Sequence, residues 1–65
     1  MESKSRTWLA DVRAKKKLTQ IEAASRAGIS RSMYNYIESG DRCPSVATAK
    51  KLSEVLGVKW TKFYE

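Results

Sequence analysis

Apolar residues along this chain recur at helical intervals, broken at short, regular gaps by Gly or by a hydroxyl residue. Trp8, Leu9 and Val12 share one face of a helix expected over Arg6 to Lys17. Thr19 has the side chain of an N-cap, and the run from Gln20 to Ala27 places Ala23, Ala24 and Ala27 together. Gly28 suits the left-handed residue that ends a helix, Ile29 turns inward, and Ser30 caps the next helix, Arg31 to Ser39. There Tyr34 and Ile37 face inward with Met33 at the margin. Ser32, Asn35, Tyr36 and Ser39 follow the i, i+3, i+4, i+7 spacing of an outer face. Gly40 ends that helix, and Cys43 is held extended by Pro44. Ser45 caps a fourth helix with the apolar stripe Val46, Ala49, Leu52, Val55 and Leu56, closed by Gly57. The apolar tail predicts a last short helix over Trp60 to Tyr64. No strand pattern, repeat or low-complexity segment interrupts this, so the expected fold is all-α with about five short helices. Met1 to Ser5 reads as a flexible N-terminal segment and residues 6–65 as one domain.

Size narrows the choice of function. A chain of 65 residues buries only about 60% of its unfolded surface, which leaves a modest core and no second domain for sensing a ligand. There is no histidine, and Cys43 is the one cysteine. The commonest general base, an internal disulfide and a thiolate metal cluster are therefore absent. No nucleophile–base pair is apparent, so an enzyme, a cofactor and a metal site are not expected. The lone thiol and the lack of a spanning or signal segment predict a cytoplasmic protein with no membrane partner.

Charge points the other way, toward a partner. Thirteen Lys and Arg against seven Asp and Glu give a formal charge of +6, a strong positive field for so small a surface and a match for a polyanion. Nucleic acid ranks ahead of an anionic membrane, and solubility is the bland alternative. Lys15, Lys16 and Lys17 fit two readings: complementing the negative end of the first helix, or touching DNA.

Two helices joined by a short Gly-containing turn, with alanines where they cross, form a helix-turn-helix. In that arrangement the second helix enters the DNA major groove and the first lies across the backbone. A groove about 12 Å wide admits one helix and displays donor and acceptor patterns that distinguish base pairs. Its reader needs a face that is polar without being uniformly charged, as Arg31, Ser32, Asn35 and Tyr36 are.

The run "LTQIEAASRAGISRSMYNYIESGDRCPS" resembles the lambda-repressor and Cro type of helix-turn-helix domain, the XRE family. The matching elements are Thr19-Gln20, Ala24, Gly28 with Ile29-Ser30-Arg31, Ile37-Glu38, Gly40, and Pro44-Ser45. "LSEVLGV" resembles the family's fourth helix and its exit. Two departures stand out. Ala23 and Ala27 replace larger aliphatics while Tyr34 replaces a smaller one, an exchange that conserves volume. Lys59 stands where a capping serine often precedes the last helix.

The resemblance implies a compact lambda-repressor-like domain and assigns roles residue by residue. Arg31, Ser32, Asn35 and Tyr36 are expected to contact bases. Arg31 either forks onto guanine or binds a phosphate, and Asn35 either pairs with adenine or reaches the backbone. Tyr36 presses on a thymine methyl, donates to a phosphate, or packs on its own helix. Thr19, Gln20, Ser30, Arg42 and Ser45 are expected at phosphates, although capping alone explains the hydroxyl residues. Arg13 and Glu38 are expected to form a partly buried ion pair between the first and third helices. Phe63 should close the core, while Trp60 and Tyr64 are candidates for a homodimer contact.

The expected function is sequence-specific binding of double-stranded DNA by a small bacterial or phage transcriptional regulator, a homodimeric repressor on a palindromic operator. No small-molecule ligand is inferred. The rivals are a protein-interaction or antitoxin-type module on the same fold, and a version that binds RNA or a coactivator.

Overall fold

The computed structural model describes residues 5–64; most of the expected flexible start, residues 1–4, and Glu65 lie outside the described residues. Helix α1 spans Thr7–Lys15, α2 Gln20–Ala27, α3 Arg31–Ser39 and α4 Val46–Leu56. Their ends follow from local chemistry. Thr19 Oγ1 accepts from the Glu22 amide while the Glu22 carboxylate accepts from the Thr19 amide, a reciprocal capping box. Ser30 and Ser45 cap α3 and α4 through the amides of Met33 and Thr48.

Helix α1 is shorter than its apolar pattern suggested. Arg6 makes no side-chain cap, and the helix stops at Lys15 in a Schellman turn. There the Lys17 amide donates to Ala14 O and the Leu18 amide to Arg13 O. Lys17 occupies the left-handed position at φ 59°, where Gly28 sits at φ 73° in the corresponding turn after α2.

Helix α2 packs against both α3 and α4, α1 against α3, and the C-terminal turn against α4. The centre holds Leu9, Leu18, the alanines 23, 24, 27 and 49, Tyr34, Ile37, Leu52, Leu56 and Phe63. Three buried alanines on α2 accompany Tyr34, the largest fully buried side chain of the molecule. Trp8 meets Phe63 edge-on with ring centroids 5.2 Å apart, joining the first helix to the last turn.

Two expectations are corrected. There are four α-helices among the described residues, not five helices of one kind: Trp60–Tyr64 is a 3-10 turn. Five residues amount to little more than one turn, and Lys59 offers no capping oxygen. The segment closes instead with the tighter bond from the Lys62 amide to Lys59 O. Val46 does not join the buried stripe. As the first residue of α4 it precedes the point where the helix reaches the core, and it is 49% exposed. No helix among the described residues is long and apolar enough to cross a membrane.

Candidate nucleic-acid interface

Burying Tyr34 and Ile37 turns the opposite side of α3 to solvent, because helical residues one position away point elsewhere. Arg31, Ser32, Asn35 and Tyr36 are all exposed along that side, and Ser39 is half-buried at its end. The Tyr36 ring carries the Arg42 guanidinium 5.5 Å from its centroid, and the Arg42 amide donates to Tyr36 O. This pair joins the end of α3 to the loop after it. Ser39 Oγ lies 3.1 Å from both Tyr36 O and Asp41 Oδ2, which ties down the same corner.

Thr19, Gln20, Ser30 and Ser45 sit at the starts of three helices, where first-turn amides lack partners within the helix. In α2 the Glu22 and Ala23 amides bond to Thr19, and those of Gln20 and Ile21 lie at the open end. Helix starts carry partial positive charge and suit anions.

Behind the exposed side lies a polar cluster centred on Glu38. Arg13 donates from Nε to Oε1 at 3.0 Å and from Nη2 to Oε2 at 3.3 Å, and its Nη1 holds Leu18 O at 2.9 Å. Gln20 Nε2 donates to Oε2 at 2.8 Å, and the buried Tyr34 hydroxyl to Oε1 at 3.1 Å. Burial pushes the Glu38 carboxyl up, but the bonds from Arg13, Gln20 and Tyr34 together hold it below its ordinary value. The bond to Glu38 raises Arg13, and burial, followed by the nearby carboxylate, raises Tyr34. Charge therefore stays fixed on the ion pair and the phenol stays neutral.

The sequence that builds these capped helices, sharp turn and exposed polar side matches the HTH_3 helix-turn-helix family model over residues 9–63. The chain belongs to that family. YqaF of Bacillus subtilis (strain 168), an uncharacterised HTH-type transcriptional regulator, is 48% identical over 60 residues, covering 92% of this chain and 79% of that protein. An HTH_3 family transcriptional regulator from Vibrio cholerae, seen in a crystal structure, superposes with a TM-score of 0.75 at 27% identity. The match takes in 95% of this chain but only 35% of the Vibrio cholerae protein, so this chain spans about a third of it. The HTH_3 regulators form a family whose members point to DNA binding and transcription regulation.

Within the HTH_3 fold, some of the residues singled out from sequence come together and others do not. Arg13, Gln20 and Glu38 share one cluster, and Tyr36 and Arg42 stack, whereas Ser45 lies at the start of α4 on its own cap. Trp60 packs on the core, edge-on to Tyr64 and beneath Lys50 Nζ. Tyr64 is 46% exposed but anchors its hydroxyl on Pro44 O at 2.6 Å.

Sequence reasoning missed Arg6 altogether. Its guanidinium donates to Ile37 O at 2.6 Å, Arg42 O at 3.2 Å and Phe63 O at 3.3 Å, and lies 3.5 Å from Cys43 Sγ. Main-chain carbonyls carry no residue code, so no sequence signal could have found that clamp. The Tyr34–Glu38 bond could have been found from its i, i+4 spacing.

Proposed function

We propose that this protein binds double-stranded DNA sequence-specifically and regulates transcription, as a homodimeric repressor on a palindromic operator. The observation that carries the reading is the outer side of α3, where, among the described residues, Arg31, Ser32, Asn35 and Tyr36 are exposed together on a chain of charge +6. In this reading those four side chains meet base edges in the major groove. Backbone contacts set the register: Ser30 and Ser45 at their helix starts, Thr19 and the Gln20 amide at the start of α2, and Arg42 beside Tyr36. Arg13 and Glu38 hold α1 against α3 and touch no DNA.

A face built to dock a protein would offer several apolar anchors; α3 offers Tyr36, at 44% exposure. The dimer contact is assigned to Trp60 and the exposed Tyr64, since a monomer with so few contacts binds specific DNA weakly.

Selection of duplexes from a random pool, followed by a salt titration on the enriched duplex, tests this. An enriched palindrome is expected. With roughly four phosphates neutralised per subunit, log affinity should fall against log salt with a slope of about −3.6 per subunit. No enrichment and a slope near zero would refute DNA as the partner.

A further inference from the structure

A primary amide reads DNA ambiguously until something holds it, because its oxygen and nitrogen exchange places on a half-turn. At Asn35 a chain of hydrogen bonds removes that freedom. The chain starts at Glu38, whose ionised carboxylate only accepts. Gln20 approaches Oε2 at 2.8 Å. If the Gln20 amide turned over, its oxygen would face the carboxylate, acceptor against acceptor, so Gln20 must direct an N–H there. Nε2 also lies 3.3 Å from Asn35 Oδ1, to which it gives its other hydrogen. The Asn35 oxygen is thereby turned toward α2, and the Nδ2 hydrogens are what this exposed side chain has left to offer outward.

We propose that Gln20 is a positioning residue that makes Asn35 a donor-only reader, selecting guanine over adenine in the major groove. This deepens the DNA-binding reading above and rests on it. Guanine presents two acceptors, N7 and O6, whereas adenine pairs the N7 acceptor with the N6 donor. The usual asparagine–adenine pair needs oxygen and nitrogen side by side at the base edge; the Asn35 oxygen keeps a second lone pair, but its bond from Gln20 turns it toward α2 and away from that edge. A second consequence concerns Gln20 itself. Both of its amide hydrogens are committed, and phosphates only accept, so its contact with the backbone runs through its main-chain N–H.

The experiment selects duplexes with the full chain and with Asn35→Ala, which locates the base pair under Asn35 as the position whose preference flattens. Anisotropy titrations then compare the four bases at that position for the unaltered protein, Gln20→Met and Asn35→Asp. The unaltered protein should favour guanine over adenine by about tenfold or more. Gln20→Met should bring that ratio to within about threefold, since Asn35 is then free to turn over. Asn35→Asp, an exposed change that spares the core, should move preference toward bases that offer an amino donor, cytosine or adenine. Adenine favoured by the unaltered protein, or no position responding to Asn35→Ala, overturns the proposal. So does a guanine ratio unmoved in folded Gln20→Met. Should Gln20→Met fail to fold, Asn35→Asp decides, and preference remaining on guanine overturns the assignment. An enriched duplex with adenine there refutes only the donor assignment, whereas no enriched duplex at all refutes the DNA reading with it.

Discussion

Replacing Glu38 by Ala tests the cluster that joins α1, α2 and α3. The variant deprives three donors of their acceptor: Arg13, Gln20 and Tyr34. They do not suffer equally. Arg13 retains Leu18 O and is 20% exposed along its side chain, so water replaces much of what it loses. Gln20 is half-buried and keeps Asn35. Tyr34 is fully buried, and its orphaned hydroxyl costs about 1–3 kcal/mol. With a smaller share for Arg13, the loss comes to about 3 kcal/mol. A domain of this size has a total stability of roughly 3–10 kcal/mol. At about 4–8 °C per kcal/mol, Tm should fall by roughly 12–24 °C, read by circular dichroism. Adding Tyr34→Phe to Glu38→Ala should recover part of the loss by removing the orphaned hydroxyl, a non-additive result. The sign with pH is also set. The Glu38 carboxyl is lowered in the folded chain, so its contribution is complete above its ordinary value of 4.5 and is lost as pH falls through the lowered one. The stability gap between parent and Glu38→Ala should therefore narrow in acid. A Tm within two or three degrees of the parent at neutral pH would refute this account (roughly the shift expected for half a kcal/mol).

Three further outcomes follow from the same geometry. Tyr34→Phe alone should cost about 1–1.5 kcal/mol in urea unfolding, at the low end for a bond to a charged group, because Arg13 still serves Oε1. Lys17→Gly should stabilise by about 0.5–1 kcal/mol, since a residue with a Cβ is strained at φ 59°; an unchanged or lower Tm would count against it. Arg6→Met, which keeps the aliphatic stem, should cost about 2 kcal/mol and speed amide hydrogen exchange at Arg42 and in the last turn of α3.

Much of α2, α3 and α4 was legible because their ends are written in side chains. Thr19, Ser30 and Ser45 each cap a helix, and Gly28, Gly40 and Gly57 each take positive φ just beyond one. The periodic burial of Tyr34 and Ile37 made the outer side of α3 readable by subtraction. Where the chain departs from such signals, reading failed. Helix α1 ends on a lysine doing the work of a glycine, and the final turn has neither a cap nor enough residues for an α-helix. The links that organise the candidate site were hidden for another reason. Gln20 meets Glu38 across 18 positions and Arg6 meets Phe63 across 57, and nothing local marks such pairs.

The Arg6 clamp has a bearing on how the molecule is made. A side chain just ahead of α1 fastens to a carbonyl that is synthesised 57 residues after it. While the ribosome still shelters Phe63, that fastening has no counterpart and Trp8 has no ring to rest against. The helices can form and collide during translation, yet the domain locks only once Phe63 has emerged. Ribosome-bound chains halted with Phe63 still sheltered should accordingly be digested by protease far faster than chains from which it has emerged.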